Sequence, residues 1–158
     1  MNFVFHIIFI FCFNFLLSND YTFKDIPILE SGRIKPLSTF SENQLLVLYG
    51  KRSFKTDTLK IDATNWMLDL SANPNKRVDQ KVFYLSKWDN SPDVEISLGL
   101  SNEDHYYSYQ EIFEGLSENK ELIVNLLNMP EDERTIVEKQ IINVYKKWDL
   151  YDKISNGL

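Results

Sequence analysis

Gly32 and Pro36 impose the tightest backbone constraints on this chain, within the stretch Ile26-Pro27-Ile28-Leu29-Glu30-Ser31-Gly32-Arg33-Ile34-Lys35-Pro36-Leu37-Ser38-Thr39-Phe40. Ile26 to Leu29 is a short apolar segment suited to extended geometry. Gly32 reaches φ > 0 at little cost, so the chain can turn there. Pro36 drives Lys35 towards extended geometry and delays the start of a helix. Thr39-Phe40-Ser41-Glu42 has the spacing of a capping box, which predicts a helix over 40–49 closed by Gly50. The stretch therefore reads as strand, turn, basic pair, helix. Arg33 and Lys35 alternate on an extended segment and so point to the same side. Two cations on one side can grip a carboxylate of a ligand or partner. The commoner arrangement is a half-buried Arg33 paired with one of the protein's own acids.

At 158 residues, one domain is the default. A formal net charge of −6 argues against nucleic-acid binding and against electrostatic docking on anionic lipid. The only cysteine, Cys12, lies in an almost wholly apolar run over residues 3–17. Disulfide, thiol and Cys-ligated metal chemistry are therefore not expected in the remainder. The run is shorter than the ~20 residues a membrane helix requires, and it suits the apolar core of a signal peptide. Residues 1–18 are read as a signal peptide or membrane anchor and residues 19–158 as one extracytoplasmic domain.

Further on, Lys51 to Lys60 reads as polar and basic, a loop or a short extended link. Asp62 suits the N-cap of a helix over 63–72 that ends at Asn73-Pro74, with Trp66, Met67 and Leu70 facing inward. Residues 81–86 form the best strand, and Tyr106-Tyr107 is a second short one. Between them, Asn90-Ser91-Pro92-Asp93 opens a short helix that ends at Gly99. Ser108-Tyr109-Gln110-Glu111 is a capping box for a helix over 109–128, with Gly115 as its weak point. Pro130 with Glu131, Asp132 and Glu133 marks the start of the last helix, which carries Val137, Ile141, Val144, Trp148 and Tyr151 as one stripe. The expected fold class is mainly α with a minor β element (α+β), a compact domain of about five helices with a long C-terminal one.

Few residues point to chemistry. His105 is the only histidine after the apolar run, beside Glu103 and Asp104. With no nucleophile motif or second histidine, a solvated loop residue is the preferred reading. The Trp148 stripe, with Tyr145 and Tyr151, could present a haem or partner face, but an amphipathic helix ordinarily turns its apolar stripe inward. Trp88-Asp89 and Trp148-Asp149 are isolated dipeptides without signal. No phosphate loop, dinucleotide fingerprint, nucleophile elbow or zinc spacing occurs.

The stretch 26–40 resembles the segment "lPv...GRiKPldTfa" of bacterial cytochrome c biogenesis proteins of the fused ResB/CcsA (System II) type. Leu48-Tyr49-Gly50-Lys51 is similar to that family's "l.isGk", Leu98-Gly99-Leu100 to its "lGl", and Tyr106-Tyr107-Ser108-Tyr109 to its "yySy". The helix around Trp66 is similar to its "w...ll..P". The likeness spans roughly residues 26–115 and centres on Gly-Arg-Ile-Lys-Pro. It implies an extracytoplasmic accessory module or split fragment of a haem-delivery system, meeting a multi-pass membrane partner near the membrane. The resemblance makes Gly32, Arg33, Lys35 and Pro36 the expected contact residues. The family's multi-pass helices, Trp-rich motif and histidine ligands have no counterpart here. No enzymatic activity, cofactor or metal is therefore expected of the chain by itself. The alternative is an exported domain binding haem or another small anionic ligand.

Overall fold

A computed structural model describes residues 22–56, 58–86, 91–100 and 105–157. The apolar run 3–17 with Cys12, the residues Trp88, Asp89 and Asn90, and Glu103 and Asp104 lie outside the described residues. The chain divides into two compact units, residues 1–40 and 41–158.

In the first unit, β1 (Pro27–Glu30) and β2 (Arg33–Pro36) form an antiparallel hairpin with Ile28 opposite Lys35, Leu29 opposite Ile34 and Glu30 opposite Arg33. Ser31 and Gly32 make its two-residue turn at φ 50 and φ 76. Positive φ at both positions is the signature of the type I′ turn, whose twist matches that of the strands. A side chain at Gly32 would meet nothing within 4 Å. Glycine there serves the backbone angle rather than packing.

Helix α1 (Leu37–Tyr49) begins directly after Pro36, three residues ahead of the expected start. Thr39 therefore lies inside the first turn, and the Thr39–Glu42 capping box is not what opens the helix. Pro36 restricts the residue before it, not the one after. The Leu37 N–H, a donor that a helix start leaves without an intrahelical partner, is satisfied by the Ile26 carbonyl at 2.7 Å. Gly50 ends the helix at φ 74.

The second unit is mainly helical. It holds α2 (Ala63–Ala72), α3 (Ser91–Ser97), α4 (Tyr109–Glu118), α5 (Lys120–Asn128) and α6 (Ile136–Ser155). Two small antiparallel hairpin-like pairs complete it: β3 (Ser53–Lys55) with β4 (Lys60–Asp62), and β5 (Phe83–Tyr84) with β6 (Tyr106–Tyr107). Helix α6 packs against α2, α3, α4 and α5 in turn. Its buried residues Ile141, Val144, Tyr151 and Ile154 recur at helical spacing, so one helix can supply the inner wall for four others. Tyr151 lies 5.3 Å from the Phe83 ring, 5.2 Å from Tyr109 and 6.4 Å from Trp66.

Helix α2 has the expected bounds, with the Asp62 carboxylate accepting from the Asn65 N–H at 3.2 Å and with Trp66, Met67 and Leu70 buried. The Ser108–Glu111 capping box opens α4 as expected. Of the two readings of residues 51–60 the extended one holds, since they supply β3 and the start of β4. Other expectations differ from the structure. The last helix starts at Ile136 rather than Pro130, because Thr135 and Glu138 form a reciprocal capping box and Pro130 to Glu133 closes a separate turn. The Thr135 N–H holds the Glu138 carboxyl below its ordinary pKa, aided by the Thr135 hydroxyl.

The helix over 109–128 breaks at Asn119, not at Gly115, which makes six α-helices among the described residues. Gly115 is buried in mid-helix, where an added Cβ would lie 2.4 Å from the Leu98 carbonyl oxygen. Its role is close approach, not weakness. Gly115→Ala should therefore destabilise the fold. Helix propensity favours alanine by about 1 kcal/mol, but a clash against backbone costs about 1–3 kcal/mol or more. Because the atom met is backbone, the clash falls at the upper end of that range, and urea denaturation should show a net loss of about 2 kcal/mol.

Candidate functional site

Four surface features could carry function, and each follows from the elements beneath it. On the β1–β2 hairpin, residues 28, 30, 33 and 35 share one side and residues 27, 29, 34 and 36 the other. Arg33 and Lys35 therefore share a side, as the alternation predicts. The internal acid partner, however, is taken by Lys35, whose Nζ lies 2.5 Å from Glu30 Oε2. Arg33 is exposed, as are Gly32 and Pro36. On the other side Leu29 and Ile34 face each other across the strands while 73% and 76% exposed. The hairpin thus offers an apolar pair on one side and a guanidinium on the other.

His105 is not a solvated loop residue. Its backbone sits at φ 55 and its carbonyl accepts from the Leu85 N–H at 2.9 Å, which fixes it at the start of β6. Its Nδ1 lies 2.7 Å from Glu95 Oε1, and the same oxygen accepts from the Tyr107 hydroxyl at 2.8 Å. With Glu95 ionised, Nδ1 is the donor. Glu95 comes from α3 and is buried, and a carboxylate left without partners in such a place would cost about 3–5 kcal/mol. The three side chains clamp α3 to β6. Neither serine nor cysteine takes part in the clamp. Among the described residues no group of three or more His, Cys, Asp or Glu could hold a metal ion.

A third feature is a cleft of about 470 Å³ lined by Tyr49, Phe54, Lys55, Thr56, Gln80, Lys81 and Tyr106. Lys51 places its ammonium 5.4 Å from the Tyr49 ring centre and 5.7 Å from that of Tyr106, within cation–π range. The Trp66 indole N–H donates to Gln80 Oε1 at 2.9 Å, which leaves the Gln80 amide NH₂ as a donor for other groups. An acidic protein here gathers cations, donors and aromatic faces in one cleft. The sequence signal is the basic run 51–60, a loop or short extended link by sequence, which β3 and β4 fold beside the rings.

The fourth is an apolar groove of about 300 Å³ where α4, α5 and α6 meet. It explains why the α6 stripe is only partly core: Val144 and Tyr151 are buried, whereas Tyr145 and Trp148 are half-buried along the groove. Phe113 and Trp148 stack at 6.2 Å, and Tyr109 joins Trp148 at 5.9 Å. The Tyr109 hydroxyl donates to Asp152 at 3.2 Å. Burial raises the Tyr109 pKa, the Asp152 charge adds to the rise, and the Trp148 indole offsets part of it. Burial pushes the Tyr151 phenol up further, partly offset by Arg77, whose carbonyl accepts from that hydroxyl at 3.1 Å.

No protein-family model matches the chain, and no curated protein matches it.

The two raised tyrosines link stability to pH. The folded state keeps both protons longer than the unfolded chain, where tyrosine ionises near ~10. Their contribution is complete below that value and is lost as pH rises beyond it towards the folded-state pKa values. Chemical denaturation should show a steep fall in stability above pH ~10. Tyr151→Phe should be less stable at neutral pH yet lose less on going alkaline, and an equal loss would contradict the assignment.

Proposed function

We propose that this chain is an extracytoplasmic accessory module or split fragment of a cytochrome c biogenesis system. In this reading it acts by contact with a multi-pass membrane protein of that machinery and has no catalytic step of its own. Residues 3–17 would direct export and hold the module near the membrane or be removed. The observation that supports a contact role is the β1–β2 hairpin. Leu29 and Ile34 are held in water on one side of it, Arg33 on the other, and no third described strand joins it. Exposed apolar residues beside an exposed guanidinium, on a sheet whose edges no other described strand covers, suit docking by side chains or strand addition. Lys35 would serve chiefly to hold the hairpin through Glu30. The same hairpin carries the Gly-Arg-Ile-Lys-Pro core of the resemblance. Among the described residues no helix is long and apolar enough to cross a membrane.

A second reading, an exported domain for a small anionic ligand, is favoured by the Tyr49–Tyr106 cleft with Lys51, Lys55 and Lys81. Haem titration distinguishes the two, since a contact module should give no saturable spectral change.

The main reading is tested by co-expressing the tagged chain with a ResB/CcsA-type membrane protein and recovering both from detergent. The expected result is co-purification that falls at least roughly tenfold for Arg33→Glu combined with Ile34→Asp, as loss of a central contact of about 1.4 kcal/mol or more would give. Both positions are exposed, so circular dichroism should be unchanged. No co-purification of the wild-type chain would overturn the reading.

A further inference from the structure

We infer that the groove between α4, α5 and α6 binds a small amphipathic carboxylate, an apolar acid of the medium-chain fatty-acid class. This is independent of the proposed contact role, since it rests on different residues. The walls are Phe113, Leu116, Ile123, Val124, Leu127 and Trp148, nearly all apolar surface. Phe113, Val124 and Leu127 remain 42%, 46% and 45% exposed around this one concavity. Isolated exposed apolar residues are ordinary, but several converging on one hollow mark a binding surface.

The hollow has a structural cause. At Asn119 the chain leaves α4 and restarts as α5, and both helices still lean on α6. The volume of about 300 Å³ is at the lower end for small-molecule sites. That size suits one short apolar body better than a partner helix, which needs an extended groove.

Charge selects the ligand class. Among the described residues, Lys120 is the only basic or acidic side chain lining the groove. It is exposed and has no ion-pair partner among the described residues. Glu118 and Glu121 flank it in sequence but do not line the groove. Lys120 is also the first residue of α5, and the Asn119 side chain donates back to the Gly115 carbonyl at 2.9 Å rather than capping α5. The positive end of α5 lies at Lys120, and the negative end of α4 at Glu118 opposes it, so the ammonium itself sets the charge at this end of the groove. A ligand with an alkyl body and a terminal carboxylate fills the apolar walls and meets its counter-charge at one end. A neutral alcohol satisfies only the first condition, and an alkylammonium opposes the second.

Calorimetry on the full chain with decanoate, decanol and decyltrimethylammonium tests the assignment. Decanoate should bind saturably, one per chain, and more tightly than decanol by roughly two- to fivefold, the ratio expected of a partly exposed ion pair. Decyltrimethylammonium should bind more weakly than either. Lys120→Gln should bring decanoate down to the decanol level and leave decanol unchanged. Val124→Trp, at an exposed wall position, should fill the hollow and remove both. Three results would overturn the inference: no saturable decanoate binding, decanol binding as tightly as decanoate, or affinity indifferent to either substitution. Concentration-dependent dimerisation that Val124→Trp abolishes would assign the groove to a second copy and overturn it equally.

Discussion

The burial of Tyr151 and its neighbours on α6 is the interaction on which the rest of the second unit depends. A single amphipathic helix meets four others, so the cost of ordering each short helix is offset mainly by contact with α6. Helices of seven to ten residues, such as α3, α4 and α5, would not persist alone in water. The polar ties follow the same geometry. The Ser71 hydroxyl donates to the Ile154 carbonyl at 2.8 Å, Lys147 donates to the Tyr84 carbonyl at 2.7 Å, and the Tyr151 hydroxyl reaches the Arg77 carbonyl. The backbone carbonyls of Tyr84 and Arg77 are thereby satisfied by α6, and the Ile154 carbonyl of α6 by a side chain of α2.

The surface features are by-products of how that arrangement leaves its margins. Where α4 gives way to α5, the walls do not close on α6 and a groove remains. Where β5 pairs with β6, His105 and Tyr107 come within reach of Glu95, and the short α3 is pinned at its middle. Where the β3–β4 pair folds over α2, Phe54 stacks on Trp66 at 6.4 Å and approaches Tyr49 to 4.8 Å, and Lys51 lies against the Tyr49 and Tyr106 rings. The first unit is simpler. Its hairpin is shaped by a two-residue turn and tied by the Lys35–Glu30 ion pair, and its apolar pair is exposed.

Much of this was legible before any coordinates. Asp62 and Asn73-Pro74 bracket α2 with local chemistry strong enough to decide the matter, and the Ser108–Glu111 box does the same for α4. What was not legible depended on partners distant in sequence. Strands β3 and β4 place Lys55 opposite Lys60, a locally unfavourable pairing, and it is the burial of Phe54 that carries them. Pro130 and the acids after it satisfy every rule for a helix start. Thr135 and Glu138 offer a competing cap a few residues later, and only one can open α6. The partner of His105 lies on α3, which no local pattern connects to β6. On the hairpin, alternation placed Arg33 and Lys35 on one side, but only the register shows that Glu30 falls to Lys35. Periodicity does not separate Phe113 and Leu127 from core residues, because a groove wall and a core wall share the same spacing.

Native-state amide hydrogen exchange tests the central role of α6 most directly. If α6 is the wall on which the second unit assembles, amides over residues 141–154 should be the slowest to exchange. They should match those of α2 around Trp66 and Leu70, and share one denaturant dependence equal to that of global unfolding. Exchange across α6 that is faster than in α2, with its own shallow denaturant dependence, would mean that the unit holds together without this helix, and the account would fail.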